Sequence, residues 1–151
     1  MRIACVADTP QHLPAIAQAH LQAFGTLLPD WNVDEALSEL RSHTRDEVIP
    51  TTWVALDQAQ WLGSVSLLDN GDTRIRQWSP WLASLYVQPQ ARGQGIGEAL
   101  VAHCVQIACR SPRNCAWMLC ICIASRRWRP SIGGWVGTRT PRCCLGRCGS
   151  W

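Results

Sequence analysis

Residues 81–100 read WLASLYVQPQARGQGIGEAL, and three kinds of local structure follow one another in this stretch. The apolar run that ends at Val87 predicts a strand, and the glycines at 93, 95 and 97 predict a tight turn that can approach a ligand closely. A helix is expected from about Ile96 to Ala108, with its unpaired N–H groups and positive dipole end directed at an anion. Arg92 adds a positive charge, so the stretch predicts a site for a phosphorylated ligand.

Two common phosphate-binding motifs do not fit this turn. A P-loop ends in Gly-Lys-Ser/Thr, but all 14 residues counted as Lys+Arg are arginine, which excludes that class of nucleoside triphosphatase. A Rossmann turn reads GxGxxG and is followed by an acidic residue about 20 positions later. Here the spacing is GxGxG and no acidic residue occurs after Glu98, so a dinucleotide site is disfavoured.

The remaining pattern, Arg-x-x-Gly-x-Gly after an apolar strand, resembles motif A of the GNAT superfamily of acyl-CoA N-acyltransferases. The resemblance implies that the turn binds the pyrophosphate of coenzyme A and that the backbone of the preceding strand pairs with pantetheine. Carried over by position, the acyl-CoA-binding residues are Leu85, Tyr86, Val87, Arg92, Gly93, Gln94, Gly95, Ile96, Gly97 and Glu98. A glycine-rich turn that binds nothing is the alternative.

The order of predicted elements up to residue 108 is that of the GNAT fold, a mixed α/β sheet of the α+β kind. The pattern predicts a helix with an apolar stripe made by Leu13, Ile16, Ala17, His20, Leu21 and Phe24. A second helix is predicted over Asp34–His43, and strands are predicted over Ile3–Val6, Thr52–Leu56, Trp61–Leu68 and Leu82–Val87. Asp57 to Gln60 is expected to form a turn.

Length and the N-terminal sequence limit the class of protein. The 151 residues fit one domain. The apolar run before Asp8 is too short for a signal peptide or a membrane anchor, so we expect a soluble, cytoplasmic protein with no membrane partner. A homodimer is compatible with the resemblance.

Three polar positions in the first part of the chain carry separate expectations. Asp8 or Thr9 is expected to cap the first helix. His20 is expected in the core or at its rim, with nothing nearby to orient it for catalysis. Asp69, Asp72 and the loop that leads to Trp81 are candidates to line the acceptor side, although turn and solvent-facing positions are the simpler interpretation.

The composition changes abruptly after Ala108. The first 108 residues contain six arginines and all eleven acidic residues, whereas residues 109–151 contain eight arginines and no acidic residue. The same 43 residues contain four of the nine tryptophans and seven of the nine cysteines. We therefore place a boundary between an acetyl-CoA-binding domain, 1–108 and extending to about 124, and a Cys/Trp/Arg-rich tail, 109–151.

A functional tail is one explanation of this boundary. Zinc is disfavoured because the cysteines are spaced C-x5-C, C-x4-C, CxC, CC and C-x3-C and no histidine accompanies them. We therefore expect no metal. Interleaved arginine and tryptophan suit single-stranded nucleic acid, which we treat as an unfavoured alternative. Disulfides are disfavoured by the absent signal peptide and the odd cysteine count.

A shifted reading frame is the other explanation. When the codons permitted for residues 130–137 are read from each third base, they allow Phe-Tyr-Arg-Arg-Leu-Gly-Trp, which resembles the end of GNAT motif B. The same shift at residues 117–123 gives Asp and then allows Ala-Leu-Tyr-Leu-His, which is typical of a strand. We therefore hypothesise a frameshift of one nucleotide between Ala108 and Asn114.

The frame hypothesis bears on catalysis and on the end of the fold. The family's usual tyrosine on the motif B helix, which protonates the leaving thiolate, would fall opposite Ser131 or Ile132, and the chain's one tyrosine is Tyr86. The catalytic residues are therefore unknown. Residues 116–124 can still form a strand, but Pro130 and the glycines at 133 and 134 would break the next helix, so the C-terminal strand-helix-strand part is expected to be truncated or disordered and prone to aggregation.

The resemblance implies an N-acetyltransferase that transfers an acetyl group from acetyl-CoA to a primary amine of a small molecule or peptide. This activity is expected to be impaired in this chain. A non-catalytic acyl-CoA-binding protein and a protein whose basic tail binds nucleic acid are the alternatives.

Overall fold

A computed structural model of the chain describes residues 1–28, 30–43, 49–69, 80–110 and 119–120. The strands within these residues are β1 (Arg2–Cys5), β2 (Thr51–Asp57), β3 (Gln60–Leu68), β4 (Trp81–Val87) and β5 (Leu119–Cys120). The helices are α1 (Leu13–Phe24), α2 (Val33–Ser42) and α3 (Ile96–Arg110). The predicted order of strand, two helices, three strands, turn and helix is confirmed.

The five described strands form one sheet in the order β1-β2-β3-β4-β5. The first four pair antiparallel with their neighbours, and β5 pairs parallel to β4 because α3 crosses between them. The hairpin between β2 and β3 closes at the pair Asp57 and Gln60, as predicted, and Gln58 has a φ of 50° in its turn. The mixed α/β class expected from the sequence is confirmed.

Alternation of side chains along the strands produces two apolar layers, one on each face of the sheet. The layer on the α3 face is built from β2, β3, β4 and α3, and it includes Trp53, Ala55, Val65, Leu67, Leu82, Ile96, Leu100 and Cys104. The layer on the α1–α2 face includes Val6, Ile16, Ala17, Ala36, Leu40, Val54, Leu56 and Trp61. These layers fix β3 and β4 from both sides, and so fix the start of the candidate turn.

A row of buried polar residues crosses the α1–α2 face, and this polar seam consists of His20, His43, Thr52, Ser64 and Ser66. His20 Nε2 lies 2.9 Å from Ser64 Oγ, and His43 Nδ1 lies 2.7 Å from Thr52 Oγ1. Thr52 Oγ1 in turn lies 2.8 Å from Ser66 Oγ. The seam satisfies polar groups that would otherwise be costly to bury.

The N-terminus of α1 is not capped as the sequence predicts, whereas α2 has a side-chain cap. The Thr9 hydroxyl donates to the carbonyl oxygen of Val6 at 3.2 Å and makes no cap bond, because two short 3-10 turns, Val6–Asp8 and Pro10–His12, separate β1 from α1. The predicted cap of the first helix by Asp8 or Thr9 is therefore wrong. At α2, Asn32 Oδ1 accepts from the N–H of Glu35 at 3.0 Å and caps the helix.

The tail is described only in part. β5 lies inside the predicted strand 116–124 and pairs with the first two residues of β4. Residues 111–118 and 121–151, and with them Ser131, Ile132, Pro130 and most of the tail's cysteines, lie outside the described residues. The domain boundary and the expected loss of the C-terminal strand-helix-strand part therefore stay predictions.

Candidate functional site

The turn between β4 and α3 is exposed but anchored in the core at two points. Ala91 and Ile96 are buried in the α3-face layer, while residues 92–95 between them are exposed. Gly93 and Gly95 have φ values of 76° and 75°, a region that residues with a Cβ rarely adopt. Nothing lies within 4 Å of the position a Cβ would take at either glycine, so both are required by backbone conformation, and the space beside them is open.

Gly97 has a different role from the one expected. It lies in the first turn of α3, no positive φ occurs there, and a Cβ would make ordinary contact with Val87 Cγ2 at 3.6 Å. The tight bend is therefore made by two of the three glycines in the motif.

Side-chain hydrogen bonds of three glutamines connect the turn to β3. The Gln88 side chain donates to the carbonyl oxygen of Trp61 at 2.7 Å, and its backbone N–H donates to that of Leu62 at 2.9 Å. The Gln90 side chain donates to Gln88 Oε1, and the Gln94 side chain donates to the Gln90 carbonyl oxygen at 3.4 Å. The turn is thus tied to the main chain of β3, a connection that the sequence pattern did not indicate.

The N-terminus of α3 opens onto the turn. The first bond of the helix at this end runs from the N–H of Ala99 to the Gly95 carbonyl oxygen at 3.0 Å. The N–H groups that precede it at the helix start have no partner within the helix and carry the positive end of the dipole. The buried Ile96 side chain packs into the core, so at this residue only the main chain can reach a ligand.

Arg92 is exposed and follows the short 3-10 turn Pro89–Ala91 after β4. Its Nε donates to the carbonyl oxygen of Val87 at 3.0 Å, which holds the guanidinium against the strand end. The terminal nitrogens of the group remain able to donate to an anion. Glu98, also exposed, lies in the first turn of α3 and faces the dipole end that favours a carboxylate.

A bulge interrupts β4 before the turn. The ladder between β3 and β4 shifts register between Ser64 and Ser66, so that two residues of β4, Ser84 and Leu85, lie opposite one residue of β3. Ser84 has a φ of 51°. Because a bulge bends its strand and disrupts the local ladder, the last residues of β4 diverge from the line set at its start.

Among the described residues, one edge of β4 is paired over only part of its length. β5 pairs with Trp81 and Leu82. Within the described residues, 83–87 have β3 on one side and no strand on the other. Unpaired main-chain groups at such an edge can pair with an extended ligand.

The last three residues of β4 direct their side chains to different faces. Leu85 and Val87 pack against the α3-face layer. Tyr86 lies opposite Ser64 in the ladder and packs on the α1–α2 face. The structure therefore brings Leu85, Tyr86 and Val87 next to the turn 92–98, as a continuous strand, turn and helix start.

Gly63 and the polar seam are features of this region that sequence reasoning missed. A Cβ on Gly63 would lie 2.7 Å from the Tyr86 carbonyl oxygen and 3.3 Å from the Val87 Cα. The absence of a side chain at Gly63 therefore sets the distance between β3 and β4. A glycine inside a predicted strand is the signal that could have indicated this close approach.

The expectation that nothing orients His20 is wrong. His20 is buried and is hydrogen-bonded to Ser64, 44 positions along the chain. Burial and, to a smaller extent, the charge of His43 lower the pKa of His20 to about 4, and burial also lowers the pKa of His43. The expectation that His20 lies in the core is confirmed, and both rings are neutral at neutral pH.

The remaining expectations concern the acceptor side, metals and membranes. Asp69 is exposed at the end of β3, and residues 70–79 with Asp72 lie outside the described residues. Within the described part of the chain, no three His, Cys, Asp or Glu side chains are grouped so as to hold a metal ion. None of its helices is long and apolar enough to span a membrane.

Comparison with known proteins assigns this arrangement to a family. The family model described as an acetyltransferase (GNAT) domain matches residues 49–129, more than half of the chain, and these residues include β2 to β5 and the turn. No curated protein matches the sequence.

Solved structures share the fold. An aminoglycoside N-acetyltransferase in complex with CoA has a TM-score of 0.59 at 17% identity, covering 80% of this chain and 76% of that one. A predicted acetyltransferase from Clostridium acetobutylicum, solved with acetyl-CoA, has a TM-score of 0.58 at 18% identity, and the match covers 92% of this chain and 89% of that one. A ribosomal-protein-alanine N-acetyltransferase from Brucella melitensis has a TM-score of 0.56 at 16% identity, and the match covers 83% of this chain and 81% of that one.

At these identities the structural likeness establishes the fold, and the family model establishes membership. The motif A resemblance at residues 92–97 lies inside the matched range. The chain belongs to the GNAT family of N-acetyltransferases.

Proposed function

We propose that this chain binds acetyl-CoA along the edge of β4 at residues 83–87 and at the turn 92–98, and that the site serves acetyl transfer to a primary amine. The observation that carries the proposal is the junction itself. Residues 83–87 of β4 have a neighbouring strand on one side only among the described residues, and a short 3-10 turn, Pro89–Ala91, connects them to an exposed turn with Gly93 and Gly95 at positive φ and to the N-terminus of α3.

The groups present at this junction fit the chemistry of coenzyme A. The unpaired N–H groups at the start of α3 and the guanidinium of Arg92 are donors suited to a pyrophosphate. The open space beside Gly93 and Gly95 leaves room for it. The edge of β4 offers alternating main-chain donors and acceptors, which suit the amides of pantetheine.

When bound, acetyl-CoA supplies an activated acetyl group: the amine nitrogen forms a bond to the carbonyl carbon, the C–S bond breaks with its electron pair on sulfur, and the nitrogen loses one proton as the thiolate gains one. The contribution of the chain is to position the donor. Leu85 and Val87 pack the strand against the α3-face layer, and Arg92 fixes the strand end through the Val87 carbonyl oxygen.

We further propose that catalysis is impaired because the proton donor expected on motif B is missing. The family's usual tyrosine would fall opposite Ser131 or Ile132, and Tyr86 on β4 is the one tyrosine of the chain. Loss of a general acid costs roughly 10² to 10⁴ in rate. Restoring the alternative frame after Ala108 and comparing thiol release by the two proteins tests this, since equal rates would exclude the frame explanation.

Non-catalytic acyl-CoA binding is the second candidate, favoured by the same single tyrosine. Isothermal titration with acetyl-CoA, followed by thiol-release assays over small amines, an aminoglycoside and a peptide with a free N-terminus, separates the two. Binding with turnover supports the transferase, and binding without turnover supports the second candidate. Absence of binding would reject both.

Acceptor identity is a separate part of the proposal. The similar structures include an aminoglycoside enzyme and a ribosomal-protein-alanine enzyme, so one fold serves both small-molecule and peptide amines. The amine panel is therefore chosen to cover both kinds. Size-exclusion chromatography with light scattering tests whether the chain forms the homodimer that the resemblance allows, and a salt-dependent shift of single-stranded RNA would favour a nucleic-acid role for the tail.

A further inference from the structure

Tyr86 lies at the boundary between the candidate donor site and the opposite face of the sheet. Its backbone belongs to the part of β4 that has a strand on one side only among the described residues, next to Val87. Its side chain lies on the α1–α2 face, away from the turn, α3 and the apolar layer against which Leu85 and Val87 pack. The main chain of Tyr86 therefore belongs to the candidate donor site, and its side chain lies on the opposite face of the sheet.

The ring of Tyr86 is held by two other rings. Trp61 stacks on it with centroids 5.7 Å apart and an interplanar angle of 20°, and His20 meets it edge-on at 6.3 Å. His20 is itself fixed by its hydrogen bond to Ser64 and by an edge contact with Phe24 at 5.8 Å. The half-buried ring therefore has little freedom to change its orientation.

The side-chain polar atoms of this stacked pair have no hydrogen-bond partners among the described residues. No hydrogen bond joins the Tyr86 hydroxyl to the part of the chain that the structure describes, and the buried indole N–H of Trp61 is also unpartnered there. Tyrosine is suited to such a position because its ring packs in apolar surroundings while its hydroxyl can bind a polar group. A fixed ring whose hydroxyl is not used by the described residues is a preorganised binding group.

A thioester laid along the edge of β4 has one face of its carbonyl toward the α3 side and one toward the α1–α2 side. The α3 side holds the turn and the helix start, where the donor's phosphates would bind. The side that remains for an amine to attack the carbonyl carbon is the α1–α2 side, where Tyr86 lies.

We propose that the hydroxyl of Tyr86 binds the acceptor amine, accepting a hydrogen bond from its N–H and directing its lone pair at the thioester carbonyl. This rests on the proposed acetyl-CoA site. It assigns acceptor binding to the side chain of Tyr86 and leaves donor binding to its main chain.

The single tyrosine of the chain makes a direct test practicable. Biosynthetic incorporation of 3-fluorotyrosine gives one fluorine resonance, which reports on Tyr86 alone. The protein is first saturated with coenzyme A, which cannot transfer an acetyl group, and is then titrated with butylamine or, as the matched control, with butanol. We expect a saturable shift of the resonance with butylamine and none with butanol; no shift, or equal shifts with both, would overturn the proposal.

Tyr86→Phe supplies the second readout, because it keeps the ring and its stacking on Trp61. With an amine that the wild type acetylates, KM for the amine should rise roughly 3-fold to 10-fold, as expected for one lost hydrogen bond. The dissociation constant of acetyl-CoA from isothermal titration should stay unchanged. An equal loss of acetyl-CoA affinity would assign the hydroxyl to the donor and contradict the proposal, whereas failure of the wild type to bind acetyl-CoA would instead reject the proposed function.

Discussion

The Nε2 atom of His20 lies 2.9 Å from the Oγ of Ser64, and neither side chain is more than marginally exposed to solvent. The bond joins α1 to the middle of β3, in the row of polar groups that continues through His43 and Thr52. Because two imidazoles are buried in the same layer, the stability of the domain depends on their charge state.

Acidification should destabilise the protein through His20. Its pKa is about 4 in the folded chain and 6.5 as the ordinary value, so the unfolded chain binds more protons between these limits. Stability is fully present above pH 6.5 and falls as pH drops toward 4, by about 3 kcal/mol. Urea unfolding followed by tryptophan fluorescence across this range measures the loss.

His20→Gln separates titration from packing, since the amide can still bond Ser64 but does not ionise in this range. We expect a loss of about 1 kcal/mol near neutral pH and a flatter dependence of the unfolding free energy on pH than in the wild type. If the unfolding free energies of the two proteins depend on pH in the same way, the acid sensitivity arises from groups other than His20.

Gly63→Ala should destabilise the β3–β4 pair. The new Cβ would lie 2.7 Å from the Tyr86 carbonyl oxygen, a main-chain atom that cannot move without shifting β4. A loss of about 1 to 3 kcal/mol is expected, with a lower melting temperature and weaker acetyl-CoA binding. Gly97→Ala is the matched control for stability, because its Cβ would make an ordinary 3.6 Å contact with Val87; an equal fall in melting temperature would contradict the prediction.

Gly95→Ala should weaken acetyl-CoA binding without any steric clash. The φ of 75° at Gly95 costs a residue with a Cβ about 1 to 2 kcal/mol, and nothing lies within 4 Å to collide with it. The strain should be relieved by movement of the turn, which misplaces the helix N–H groups. Gly95→Asn is the control, because asparagine tolerates this region better, and isothermal titration should rank the wild type above Asn and Asn above Ala.

Arg92→Gln should lower acetyl-CoA affinity by roughly 10-fold, because a charged donor is lost from the mouth of the turn. The variant should also show a weaker dependence of affinity on salt. Arg2→Gln, at an exposed position on β1, is the control and should bind as the wild type does. Equal affinities for Arg92→Gln and the control would show that the guanidinium does not contribute to acetyl-CoA binding.

The local pattern of the sequence was sufficient to predict the strand, turn and helix around residues 81–110, because apolar periodicity and glycine chemistry act over a few residues. The cap at Asn32, the close approach at Gly63 and the bond between His20 and Ser64 were not predicted. The last two depend on partners brought together from distant parts of the chain, and alternation alone does not say which strands are neighbours. Thr9 was misassigned because the two short 3-10 turns between β1 and α1 have no periodic signal.

For the candidate site too, the local pattern predicted residues that are neighbours in sequence and missed contacts between distant ones. The pattern selected the contiguous run 92–98 and the end of β4, but it could not assign Tyr86 and Val87 to opposite faces at a strand with a bulge. It also gave no indication that Gln88 reaches the Trp61 carbonyl oxygen. Contacts of this kind are specified by register, which is fixed by the whole sheet.

The parallel pairing of β4 with β5 has a consequence for how the chain folds. β2, β3 and β4 are consecutive in sequence and are neighbours in the sheet, so they can pair through hairpin contacts. β5 can pair with β4 only after α3 has crossed the sheet. Non-local pairing of this sort forms late because it must first close a long loop. We therefore expect an intermediate in which the glycine turn is already bordered by β4 while the last strand is still undocked, and in which mutations after α3 change the unfolding rate more than the folding rate.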